Sequence, residues 1–150
     1  MKKLLFVLLI ISLLVFLGFK KPLFPSPVSN GRVTSEFETR INPITNKEEF
    51  HTATDIAAAY GSLVLASFDC EVTFVGSDEI NGENVKVTAD DMEYRYCHLS
   101  DTNVKVGHKL KKGEIIGYVG NSGYATGAHL HLEVIKNGEY INPETVFDLK

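Results

Sequence analysis

From Gly31 onward, apolar and polar residues alternate with a period near two. Leu63-Val64-Leu65-Ala66, Val72-Thr73-Phe74-Val75, Val85-Lys86-Val87-Thr88, Tyr94-Arg95-Tyr96-Cys97 and Ile115-Ile116-Gly117-Tyr118-Val119 are rich in β-branched and aromatic residues. Such side chains pack well on a pleated, half-buried surface. Turn formers separate these runs: Ile80-Asn81-Gly82, Ala89-Asp90-Asp91, Lys112-Gly113 and Asn137-Gly138. Asn and Gly tolerate the left-handed backbone that tight hairpins require. No long stretch follows the helical period. Only Asn142-Pro143-Glu144 reads as a helix start, with Asn142 as the cap and Pro143 in the first turn. The pattern predicts an all-β, mostly antiparallel domain ending in one short helical turn.

The N-terminus follows a different rule. Leu4 to Phe19 carries no charge and is interrupted only by Ser12 and Gly18. As a helix it spans about 24 Å, slightly short of a ~30 Å hydrocarbon core. Lys2, Lys3, Lys20 and Lys21 can extend its reach by snorkelling. A cleaved signal needs small neutral residues after the apolar core, whereas Lys20-Lys21-Pro22 follows here. Residues 1–21 are therefore expected to form an uncleaved hydrophobic helix that anchors the chain in a membrane. A secretory signal removed by cleavage is the alternative. Pro22, Pro25 and Pro27 make residues 22–30 a stiff spacer, and residues 31–150 the folded domain.

Composition narrows the picture. The 150 residues suffice for one domain and a short extra segment, and 44% apolar with 23% charged residues is globular rather than disordered composition. The net charge is −4, and the first 21 residues hold four lysines and no acid, so the remainder is more acidic than the whole. An acidic domain is repelled by phosphate backbones, which excludes nucleic acid as the expected partner. Two cysteines are too few for a disulfide framework, and buried free thiols are expected for Cys70 and Cys97.

The chemistry lies in the histidines. His129-Leu130-His131 places two imidazoles on one face of a strand, with Glu133 on the same face and Leu130, Leu132 and Val134 opposite. By the same alternation Tyr94, Tyr96 and His98 share a face, and Cys97 points the other way. His51 and Asp55 are four residues apart and can converge on one metal if the segment between them turns. With one histidine of the pair they give a His/His/carboxylate set, which suits Zn2+ and leaves a fourth position open. Each motif alone is weak, since chance supplies about 0.2 HxxxD and about 0.1 HxH matches in a chain of this composition. His108, in the turn Val106-Gly107-His108-Lys109, reads as a surface residue.

Order and surroundings strengthen these motifs. Val33-Thr34-Ser35-Glu36-Phe37, Arg40 to Thr45, His51 to Ala57 with Gly61 and Val64, and Tyr96 to Ser100 come first. Val104 to Gly107, Lys112 to Gly117, and Gly120 to Glu133 complete the series. From about Gly31 to Asn142 the chain resembles the lysostaphin-type, or LytM-domain, zinc endopeptidases, which cut peptide bonds in bacterial peptidoglycan. The resemblance implies that His51, Asp55 and His131 ligate Zn2+ and that His98 and His129 are the catalytic histidines. It further implies a peptidoglycan peptide as substrate and a domain on the extracytoplasmic face of the membrane. Gly120 to Ala128 is expected to wall the cleft. Ala53 stands where the family usually has glycine, and the site is expected to tolerate its methyl group.

Two other readings compete. A non-hydrolytic member of the same family would serve as a tethered scaffold or an activator of cell-wall amidases, but such members commonly lose one of the five site residues. Val104 to Gly117 also resembles half of a lipoyl- or biotinyl-carrier sandwich, which implies a barrel-sandwich-like part within the fold. A carrier needs a modifiable lysine at a hairpin tip, and the candidate tip reads Asp90-Asp91-Met92.

Overall fold

A computed structural model describes residues 23–149. The expected anchor over residues 1–21 lies outside the described residues. Among those described, no helix is long and apolar enough to cross a membrane.

The elements in order are β1 (Phe24–Pro25), β2 (Arg32–Ser35), β3 (Thr39–Ile41), β4 (Glu48–Phe50), β5 (Thr54–Ala57), β6 (Leu63–Leu65), β7 (Cys70–Asp78), β8 (Gly82–Ala89), β9 (Met92–Asp101), β10 (Lys109–Leu110), β11 (Ile115–Val119), β12 (His129–Lys136), β13 (Glu139–Ile141), a 3-10 turn (Pro143–Thr145) and β14 (Phe147–Asp148). The main sheet runs β10-β7-β8-β9-β12-β5-β2, all neighbours antiparallel, while β11 leaves this path to pair with β6 and β9. Val64, Ile116 and Val119 from that branch share one core with Val85, Tyr96 and Leu132. The sheet thus folds over its own apolar face. Burying each such side chain contributes about 1.5–3 kcal/mol.

The fold is the all-β, mostly antiparallel one that the alternation predicts. The hairpin turns fall where expected, and Asn137 and Gly138 both have positive φ, 53° and 81°. Asn142 caps the terminal 3-10 turn, its side chain accepting from the Glu144 N–H. Both cysteines are free and buried.

Two expectations change. Part of the proposed spacer is packed against the domain. Phe24 pairs with Phe147 in a parallel ladder, its ring centroid lies 4.5 Å from that of Phe68, and Val28 is buried. Apolar Phe24 and Val28 gain more from burial than the prolines lose by being pinned. The second change concerns β9. Tyr94 and Tyr96 point into the core, but His98 does not share their face. The register opposite β8 slips, from Val85↔Tyr96 to Glu83↔Leu99, and His98 takes φ of 60°. This bulge puts one extra residue into β9 and turns His98 away from the core while Leu99 resumes it. Cys97, opposite His131 in the ladder, points away from Tyr94 and Tyr96 as expected, and the bulge brings His98 round to that same side.

Candidate functional site

β12 brings His131 directly opposite Asp55 of β5. His51 immediately follows β4, three residues before β5, and its Nε2 lies 3.3 Å from the same carboxylate. The donor atoms form a tight triangle. His131 Nδ1 is 2.8 Å and His51 Nε2 is 3.3 Å from Asp55 Oδ1, and the two nitrogens are 3.3 Å apart. A tetrahedral ion with bonds of about 2.0–2.1 Å has edges near 3.3 Å, so the donor set fits Zn2+. Each donor is fixed by its other end. His51 Nδ1–H donates to the Glu36 carbonyl at 2.8 Å, leaving Nε2 free. Arg40 Nη1 donates to Asp55 Oδ2 at 3.1 Å and to Ser35 Oγ at 2.6 Å, leaving Oδ1 for the triangle. Ala53 is fully buried and adopts no positive φ, so its methyl group is accommodated beside the ligands.

The triangle already favours positive charge. Burial opposes ionisation of Asp55, yet hydrogen bonds from His131 and His51 hold its carboxyl well below the usual carboxylate range. Burial also works against a proton on His131, but Asp55 and Glu133 outweigh it and raise its pKa to about 9. Both shifts run in the direction that favours a positive charge at this place.

His98 and His129 complete the site. Their ring centroids are 4.8 Å apart, and His98 lies 5.4 Å from His131. His98 Nδ1–H donates to the Ser122 carbonyl and His129 Nδ1–H to the Gly127 carbonyl, both at 2.8 Å. Each ring is thereby turned so that Nε2 faces the cleft. Burial, then the neighbouring charges of His131 and His129, push the His98 pKa down to about 4, so it is a neutral base at neutral pH. His129 Nε2 reaches within 3.7 Å of Asp55 Oδ1. His129 and His131 share one face as the alternation implies, and a donor nitrogen of each lies within 4.8 Å of the other. Among the described residues a second donor grouping, His98, His129 and His131, is close enough for one ion. It borrows His131 from the first and lacks a carboxylate, so the His51/Asp55/His131 set is the better cation site.

All five histidine and aspartate positions read from the sequence meet here, and His108 lies on an exposed turn. They line a cleft of about 260 Å³. Tyr124 and Thr126 of the expected wall border it, facing Asn42 and Ile44 of the loop between β3 and β4. The wall is tied down on the His98 side. Tyr124 N–H donates to the Ile80 carbonyl, Glu83 N–H to Ser122 Oγ, and Ser122 Oγ–H to the Leu99 carbonyl. Gly82 and Gly123, both at positive φ, abut so closely that a Cβ on either would strike the other segment's backbone. Residue reasoning missed Arg40 and Ser122. Neither lies on a face or at a spacing that signals contact with a ligand, because both reach the site from loops or short edge strands.

Comparison with known proteins agrees with this geometry. A profile of Peptidase family M23 matches residues 49–143. The peptidoglycan DD-endopeptidase ShyC of Vibrio cholerae is 36% identical over 131 residues, covering 86% of this chain and 30% of ShyC. The DD-carboxypeptidase/endopeptidase Mpg of Neisseria meningitidis is 39% identical over 121 residues, covering 80% of this chain and 28% of Mpg. The chain thus spans under a third of the length of these relatives. The crystal structure of a zinc-containing peptidase from Vibrio cholerae superposes with a TM-score of 0.74 at 30% identity, over 86% of this chain and 41% of that one. The aligned span contains every donor of the triangle and both flanking histidines, and on these grounds the chain belongs to Peptidase family M23.

Proposed function

We propose that this chain is a zinc-dependent endopeptidase that hydrolyses peptide bonds in the cross-links of bacterial peptidoglycan. The observation that carries the reading is the donor triangle beside two histidines whose Nε2 atoms face the same cleft. The names of the relatives, two of them peptidases of DD bonds, support the substrate class.

His51 Nε2, Asp55 Oδ1 and His131 Nδ1 would hold the ion. When bound, Zn2+ supplies Lewis-acid polarisation of the amide carbonyl and lowers the pKa of water toward about 7. His98, neutral and anchored through Ser122, accepts the proton of the attacking water. The imidazolium so formed on His98, with His129 anchored through Gly127 beside it, then donates to the oxyanion and returns that proton to the leaving amine. The fixed Nδ1–H bonds keep both rings in the tautomer this requires. The cleft between Tyr124 and Ile44 receives the peptide in extended form.

On this reading the domain lies outside the cytoplasm and residues 1–21 hold it to the membrane, which the uncharged run from Leu4 to Phe19 supports. Fractionation of the tagged full chain is expected to find it in the membrane. A soluble form starting near Lys20 to Ser26 would mean that the segment is a cleaved signal.

Full-length protein purified in detergent without chelator is expected to carry one zinc per chain and to release peptides from purified sacculi. A chain that holds zinc and cuts no bond would be a tethered scaffold instead.

A further inference from the structure

The mechanism above leaves one buried carboxylate unused. Glu133 lies two residues beyond His131 on the site's side of β12 and is only 6% exposed. Its Oε1 is 3.5 Å from His131 Nε2. Its Oε2 makes no hydrogen bond and lies 3.8 Å from Arg95 Nη1. A buried, half-satisfied carboxylate is costly, so its presence calls for a use. It is not a member of either donor grouping that could hold one ion among the described residues. Arg95 is itself fixed, its Nε donating to Asn84 Oδ1 at 3.0 Å and its Nη2 to Asp78 Oδ2 at 3.2 Å. A stationary guanidinium thus sits against the outer oxygen of Glu133, with the inner one directed at the imidazole.

Neutral imidazole has two tautomers, and only one leaves Nδ1 with a lone pair. An ionised carboxylate can only accept a hydrogen bond, so its partner nitrogen must carry the proton. We infer that Glu133 is a positioning residue that accepts the His131 Nε2–H, and so fixes the tautomer and ring orientation in which His131 Nδ1 faces the Asp55 and His51 donors. Arg95 holds the carboxylate in that pose. The inference rests on the reading of His51, Asp55 and His131 as the metal set. It assigns the third ligand the counterpart of what the Glu36 carbonyl does for His51 and Arg40 does for Asp55.

The test uses the full chain in detergent, loaded with Zn2+. Long-range 1H–15N spectra distinguish an Nε2–H from an Nδ1–H imidazole and are expected to show His131 protonated at Nε2. Glu133→Leu is expected to keep a native circular dichroism spectrum and to weaken Zn2+ about 10–100-fold in competition with a chromophoric chelator. Glu133→Gln, which retains an accepting oxygen, is expected to recover most of that loss. His131 found protonated at Nδ1 in the unmutated protein overturns the inference without any variant having to fold. Glu133→Leu binding Zn2+ as tightly as the parent overturns it too, and a Gln variant as weak as the Leu variant removes the accepting role. A parent chain that takes up no Zn2+ overturns the metal reading itself and this inference with it.

Discussion

Asp55→Ala is expected to lose zinc and hydrolysis together. Asp55 Oδ1 is the shared vertex of the donor triangle, 2.8 Å from His131 Nδ1 and 3.3 Å from His51 Nε2, and it is the only anionic donor in the set. Removing it leaves two imidazoles facing the Arg40 guanidinium, whose Nη1 lies 3.1 Å from the lost Oδ2. A cation would then enter a pocket of like charge. The loss should exceed the about 10–100-fold that an outer-shell change costs in affinity. Metal content after dialysis, measured beside circular dichroism, decides it. A folded Asp55→Ala protein with the parent's zinc stoichiometry would show that the ion is held elsewhere. His108→Ala, on its exposed turn, is the matched control and should change neither metal content nor rate.

His98→Ala is expected to separate catalysis from metal binding. Its ring is no part of the triangle, and its own contact is through Nδ1 to the Ser122 carbonyl. Zinc content should therefore stay at the parent's level while the rate on cross-linked peptidoglycan peptides falls about 10²–10⁴-fold, the range for a general acid–base group. The pH dependence follows from the direction of its shift. A histidine whose pKa is pushed from 6.5 down to about 4 is unprotonated through neutrality and is lost as a base only as the pH falls through the lower value. The acid limb that His98 contributes to the parent should vanish in His98→Ala. A variant as active as the parent would remove His98 from the mechanism.

How much of this was legible depends on which residues obey the strand period. His129, His131 and Glu133 alternate with Leu130, Leu132 and Val134, and the structure buries the latter three completely, so the floor of the site was readable from the pattern alone. Asp55 was readable because it stands four residues from His51 at the start of a strand. His98 was named as a site residue and does reach the cleft, but from the face opposite to the one expected, because period-two reasoning assumes a regular ladder and β9 contains a bulge. The Arg40 contact to Asp55 was not readable. It spans 15 residues and two strands, and nothing local distinguishes a guanidinium aimed at a carboxylate from one aimed at water. The packing of Phe24 and Val28 was missed for a related reason. Three nearby prolines signal stiffness, but whether a stiff segment stands free depends on an apolar surface supplied by Phe68 and Phe147, far along the chain.

The left-handed backbone at position 98 also limits what can replace the histidine. Most L-residues pay about 1–2 kcal/mol to adopt that conformation, with Gly exempt and Asn, Asp and His disfavoured least. A β-branched residue there would press the strand back toward regular pleating, which turns position 98 toward Tyr96 and the core and pushes Leu99 outward. The residue is thus selected twice, once for its proton chemistry and once for its torsion angles. Among substitutions that abolish the base, Asn, Asp and Gly disturb the bulge least, while Ala carries the cost of about 1–2 kcal/mol and keeps the fold. A sequence of this fold carrying one of these at the bulge, with the donor triangle intact, would keep the shape of a peptidase and act only as a binder of its substrate.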